Sequence, residues 1–212
     1  MIFDGRRTKA DGTAYANADE VALTNNAIMH LFSRIEYHLL NQLIESLNYP
    51  GQATTMRGML IMVLLQIMHI SSSHLPFKGT FSFRIPLKQI FGFCEDYETI
   101  VHGLKHSLTL GRKTDDDAIF REAKAGAGNV SRDKISWLML HVIPGDAEKF
   151  SIYKTIDSKV KLPVAYRTRQ CDMLSVPELT SFTWRLSVKA APKKDLLMLV
   201  SKWIKSHLLA IM

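Results

Sequence analysis

Thr80–Phe93, TFSFRIPLKQIFGF, alternates apolar and polar residues: Phe81, Phe83, Ile85 and Leu87 fall on one side, Ser82 and Arg84 on the other. A period of two is that of a strand with one face buried and one wet. Pro86 lies inside the run, and a residue that cannot donate to a ladder points to an edge position or a bulge. Four other segments read the same way. Leu104–Arg112 places Leu104, His106, Leu108 and Leu110 on one face, and Ile135–Ile143 (ISWLMLHVI) stops at Pro144-Gly145. Lys161–Leu174 reads as a further strand, and Ser181–Val188 has apolar residues at every even position. The chain is therefore expected to be mainly β, with antiparallel sheets and short helices.

The helices are fewer. Thr24-Asn25-Asn26 supplies N-cap side chains ahead of Ala27–Phe32. Residues 8–23 suit a turn and the approach to that helix. Asp115-Asp116-Asp117 lead into an expected helix at Ala118–Lys124, carboxylates at its positive end. Asp146 caps another through Asp157. Arg34–Leu47 supports two readings. Ile35, Leu39, Leu40, Leu43, Ile44 and Leu47 recur at helical spacing, yet RIEYHL and QLIES also suit two short strands. Asn48-Tyr49-Pro50-Gly51 stops either form. The tail Asp195–Met212 is expected to be an amphipathic helix, a fold seam or partner surface rather than a membrane anchor. Met59–Ile70 is the longest apolar run and reads as a buried helix or strand. A bilayer span needs roughly twenty such residues, so no membrane contact is expected. Ser71-Ser72-Ser73 and Pro76 mark a loop, and Ala125–Asn129 a flexible link.

Composition sets outer bounds. Hydrophobic residues make up 47% and charged residues 22% of 212 residues, enough for a packed core. The net charge of +7 favours anionic contacts, such as weak non-specific binding to nucleic acid. Met1–Arg7 lacks the apolar stretch of a secretory signal. Cys94 and Cys171 are isolated, with no CxxC pair, which fits a reducing intracellular setting and two small buried thiols.

No catalytic motif stands out: there is no P-loop, GxGxxG, HExxH or GxSxG. Gly126-Ala127-Gly128 lacks the third glycine of a phosphate loop and reads as a linker. Asp115-Asp116-Asp117 could hold a hard cation, but a helix N-cap on a solvated face is the favoured reading. His102 and His106 have the spacing of two zinc ligands on a helix; on a strand they stand about 13 Å apart, too far to share one ion. His30 and His38 are further separated still. Arg167 and Arg169 beside Tyr166 could contact nucleic acid or form the wet face of a strand. No catalytic, cofactor-binding or metal-ligating residue is assigned, and no cofactor is expected.

Sequence blocks carry the reading further. GTFSFRIPLKQIFGFCEDY (79–97), LKHSLTLGRKTDDDAIFR (104–121), KISWLMLHVIPGDAEKF (134–150) and KLPVAYRTRQCDMLSVPELTSFTWRLSVK (161–189) together resemble the major capsid proteins of Polinton (Maverick) mobile elements, which are double jelly rolls. Leu23–Gly58 resembles a block further upstream. The resemblance implies eight-stranded jelly-roll sandwiches in series, self-association into trimers that tile a shell, a minor capsid protein as partner, and no catalytic site in this region. It divides the chain into residues 1–78, a partial first jelly roll or a divergent helical and strand segment; residues 79–191, a jelly-roll-like β region; and residues 192–212, a divergent helix. The chain is shorter than a full double jelly roll. It departs from the family between Gly58 and Phe77 and after Pro192, as a truncated or internally deleted copy would. The expected function is that of an intracellular capsid-type protein, in a virion where it assembles, or of a truncated, non-assembling genomic remnant of one. A basic nucleic-acid-binding module is the alternative, and an unrecognised hydrolase with dispersed residues a third.

Overall fold

The structure is a computed structural model. It describes residues 1–15, 21–65, 79–121, 128–159, 164–175, 181, 183, 197–199 and 207–211. Among these, every strand pairing is antiparallel.

The quoted stretch begins as read. Its first five residues form a strand, Thr80–Arg84, with Phe81 buried and Thr80, Ser82 and Arg84 exposed. It lies at the edge of a three-stranded sheet, the position that Pro86 called for. Calling the strands in chain order β1 (Ile2–Lys9), β2 (Val21–Leu23), β3 (Phe32–Leu39), β4 (Gln42–Asn48), β5 (Thr80–Arg84), β6 (His106–Arg112), β7 (Ile119–Arg121) and β8 (Gly128–Ser136), this sheet has the order β5-β1-β8. Pro86 ends the run, and Leu87–Gln89 turns into a 3-10 helix instead of extending the strand.

A second sheet has the order β4-β3-β6, and β2 pairs with β7. Inner faces of the β5-β1-β8 and β4-β3-β6 sheets meet in one core. Phe3 of β1 and Phe32 of β3 have ring centroids 5.8 Å apart. Ile35, Tyr37 and Leu47 bury beside Phe81, Phe91 and Val130. Each fully buried large apolar side chain contributes about 2 kcal/mol, so this two-layer contact holds the body together. Gly5 is a required residue here. A bulge falls between Asp4 and Gly5, and a side chain at Gly5 would lie 2.3 Å from the Ser131 carbonyl.

The ambiguous stretch at residues 34–47 is a hairpin of β3 and β4, turning through Leu40 and Asn41, both at positive φ. Pro50 then opens a helix, α2 (Pro50–Leu65), which packs on α1 (Ala27–His30). Proline suits a first helical position because that N–H has no partner anyway. α1 is shorter than expected, and Asn26 does not cap it. The Asn26 side chain donates instead to Gly51 O, Thr54 Oγ1 and Thr55 Oγ1 across the α1–α2 contact.

Several expectations need correction. Residues 118–121 do not start a helix. Asp115–Ala118 forms a turn, and Ile119–Arg121 pairs with β2, so long-range pairing overrides the local cap signal. The expected strand Ile135–Ile143 ends at Ser136, because β1 offers partners only as far as Ile2, opposite Ser136. Residues 137–145 have no regular structure. Of the expected strand Lys161–Leu174, residues 164–170 are irregular, residues 171–174 lie in β9 (Cys171–Ser175), and residues 161–163 lie outside the described residues. Of the run Met59–Ile70, Met59 is 54% exposed, residues 59–65 continue α2, and residues 66–70 lie outside the described residues. Helix α4 does run Asp146–Asp157 as expected, with α3 (Phe93–Asp96) a single turn before it; Gly145 takes the cap position of α4.

The tail is corrected too. In place of the amphipathic helix, its described residues are strands, β10 (Leu197–Leu199) and β11 (His207–Ile211), in a sheet of order β10-β11-β9. Leucine and isoleucine suit either state, and pairing with β9 decides between them. The loop at Ser71–Pro76, residues 122–124 of the expected helix and the 125–127 part of the link lie outside the described residues. So does most of the Ser181–Val188 strand.

Candidate functional site

The densest polar cluster surrounds Glu45, which strand alternation turns inward beside Leu47. Glu45 is 3% exposed. A buried carboxylate needs strong partners, and three backbone N–H groups supply them. Gly92 N and Arg169 N donate to Oε1 at 3.1 and 3.0 Å, and Phe93 N donates to Oε2 at 3.0 Å. One side chain thus ties β4 to the start of α3 and to the irregular strap at residues 164–170.

The strap has further fastenings. Tyr166 Oη donates to Ile44 O at 3.0 Å. Arg167 grips Asp96 through its backbone N–H at 2.8 Å and its guanidinium at 2.6 and 2.9 Å. Arg169 pairs with Glu95 and donates to Lys88 O at 3.1 Å. Arg57 of α2 reaches the same Glu95. Gly92 makes the close crossing feasible, because a side chain there would lie 1.7 Å from Arg167 O.

Electrostatics follow the geometry. Burial pushes the Glu45 carboxyl up to about 7, while the Phe93 and Gly92 N–H groups pull the other way. The hydrogen bond from Arg167 holds Asp96 down at about 2. Burial raises Cys94 to about 11 and Cys171 to about 12, so both thiols stay protonated at neutral pH and are poor nucleophiles. Beside the cluster, a half-open cleft of about 460 Å³ runs between β4 and residues 168–172, lined by Arg34, Glu45, Ser46, Arg169 and Asp172. Arg34 is paired with Glu36, and Glu45 and Arg169 are held as described. The chemistry is that of a clamp joining segments.

The other residues singled out in the sequence are scattered. Asp115 accepts from Val130 N at 2.6 Å and pairs with Arg112, fastening the turn to β8. Asp117 pairs with Lys113. His106 shares a 2.6 Å hydrogen bond with Tyr37 Oη, whereas His102 packs edge-on against Tyr153. His30 Nδ1 is buried without a partner beside Gly51. His38 Nε2 is 3.7 Å from Glu36. Among the described residues, no three His, Cys, Asp or Glu side chains gather closely enough to hold a metal ion. No helix among them is long and apolar enough to cross a membrane. Arg167 and Arg169 occupy neither a regular strand nor a free basic face; they serve the clamp. Glu45 escaped the sequence reading. Its signal was a charge on the inward phase of QLIES, visible only once that segment is known to be a strand.

Antiparallel sheets packed face to face, with few short helices, fit the class of jelly-roll β-sandwiches. A family model for the double jelly roll-like domain matches residues 21–201, and the chain belongs to that family. Such domains are typical of viral capsid proteins. No curated protein and no solved structure matches the chain.

Proposed function

We propose that this chain is a non-catalytic, capsid-type structural protein of a Polinton-like (Maverick) mobile element. Its copies associate, with a trimer as the unit and a minor capsid protein as a further partner. The division at residues 78 and 191, the intracellular and virion setting, and a truncated or internally deleted origin belong to the same reading. The match to the double jelly roll-like family across residues 21–201 carries it. The two facing sheets and their clamp support it, because a shell subunit needs a body that keeps its shape while its surfaces dock. A nucleic-acid role draws on the +7 charge. It loses the support of Arg167 and Arg169, which are committed to Asp96 and Glu95.

Light scattering on the purified chain after size exclusion tests the proposal, with negative-stain imaging alongside. Trimers or larger closed assemblies are expected. A protein that stays monomeric at tens of micromolar would overturn it.

A further inference from the structure

The segment after β8 is anomalous for a free surface. Residues 138–143 (LMLHVI) are all exposed, Leu140 by 90% and Ile143 by 88%. They lead through Pro144-Gly145 into α4, twelve residues long with no buried residue. Phe150, Tyr153 and Ile156 recur every third residue on α4 and are 73%, 56% and 53% exposed. Among the described residues, the one ring contact along this helix is Tyr153 against His102. An isolated helix of about twelve residues is marginal in water, so this one needs a covering surface. Single exposed leucines are ordinary, but a run of this kind is the mark of an interaction site.

The size of the patch is that of a protein–protein interface, and the chain's own self-association makes a second copy its occupant. Leu138, Leu140, Ile143, Phe150, Tyr153 and Ile156 together expose on the order of 600 Å², with about 150 Å² taken for each whole residue. A stable protein–protein interface needs about 800 Å² from each partner. We infer that residues 138–143 and the Phe150–Tyr153–Ile156 stripe of α4 form the surface on which a second copy of this chain docks. The inference rests on the self-association reading and names the face that performs it. Among the described residues β8 is an edge strand, and its pairing with β1 stops at Ser136 just where the apolar run starts.

Two double variants of the full chain test this, Leu140→Asp with Ile143→Asp, and Phe150→Ser with Tyr153→Ser. All four side chains are exposed, so circular dichroism and melting temperature are expected to match the wild type. The assembly constant is expected to weaken about hundredfold, as for loss of central anchors, leaving single protomers by light scattering. A wild type that is itself monomeric would overturn the self-association reading and this inference with it. A wild-type oligomer that both variants leave intact would overturn the inference alone. An unchanged oligomer with a melting temperature lowered by several degrees would show that the face is covered within its own chain, which also overturns it. Wild-type protein that co-sediments with neutral phosphatidylcholine vesicles through this face would assign it to lipid, with the same consequence.

Discussion

Glu45 concentrates more structural consequence than any other charged side chain described. Replacing it with alanine strands two buried N–H donors, at Gly92 and Phe93, and a part-buried one at Arg169, and empties the site between three segments. Breaking such a network costs about 3–5 kcal/mol, and urea unfolding of Glu45→Ala is expected to show a loss in that range. The pH dependence has a definite sign. Folding raises the Glu45 pKa from its ordinary 4.5 to about 7, so between those values the native state holds a proton that the unfolded chain has released. Stability from this group is therefore present below about pH 4.5 and declines as pH rises to 7, by an amount on the order of 3 kcal/mol. Asp96 acts oppositely. Its pKa of about 2 gives stability that is present above 3.8 and lost as pH falls towards 2. From pH 5 to 8 the wild type should lose melting temperature relative to Glu45→Gln, the gap between the two narrowing as pH rises; parallel curves would sink the assignment. None of this was legible from QLIES alone, since the sequence left helix and strand open and only the strand turns Glu45 inward beside Leu47. Arg167 and Arg169 were visible as a basic pair, but their acidic partners lie about seventy positions away in sequence.

At the scale of elements, local signals succeeded where a segment's partner was near and failed where it was remote. Helix α4 follows from Pro144, Gly145 and the carboxylates after them, all within one turn. Strand β5 follows from strict alternation, and its end from Pro86. The tail could not be read locally, because the register Ile211↔Cys171 and His207↔Ser175 joins segments over thirty residues apart. The hairpin of β3 and β4 is intermediate. Its alternation at Ile35, Tyr37 and Leu39 is present in the sequence, but a leucine stands in the turn where glycine or asparagine would announce it. Leu40 has φ 47° and Asn41 φ 64°, the left-handed pair that a two-residue hairpin turn demands. Leucine is strained there by about 1 kcal/mol. With Leu40 54% exposed, little packing is lost on replacement. Leu40→Gly is accordingly expected to stabilise the protein by about 1 kcal/mol in chemical denaturation. A loss of similar size would show that the turn geometry is wrong.

Across the whole molecule, the surplus of positive charge has to be divided into what is neutralised inside and what faces outward. Arg169 is tied to Glu95 and its side chain is only 15% exposed, Arg57 shares that carboxylate, and Arg112 is paired with Asp115. These add to the formal charge of +7 without presenting it to a polyanion. Arg84 and Lys134 are different. Both are exposed on the sheet β5-β1-β8, where alternation sends Phe3, Phe81 and Val130 to the core and the neighbouring positions to solvent. Duplex DNA binding is therefore expected to be weak and non-specific, with Kd about 10⁻⁵ M at physiological salt. Each phosphate contact contributes about 0.9 to the slope of log K against log salt, so Arg84→Glu with Lys134→Glu should reduce that slope by about two. Arg169→Ala should leave DNA affinity unchanged and still lower the melting temperature, since it opens the clamp. Filter binding across a salt series, with thermal melts of the same variants, separates the two roles. If Arg169→Ala weakened DNA binding as much as the surface pair did, the strap would have to be read as a nucleic-acid contact, and the clamp as incidental to it.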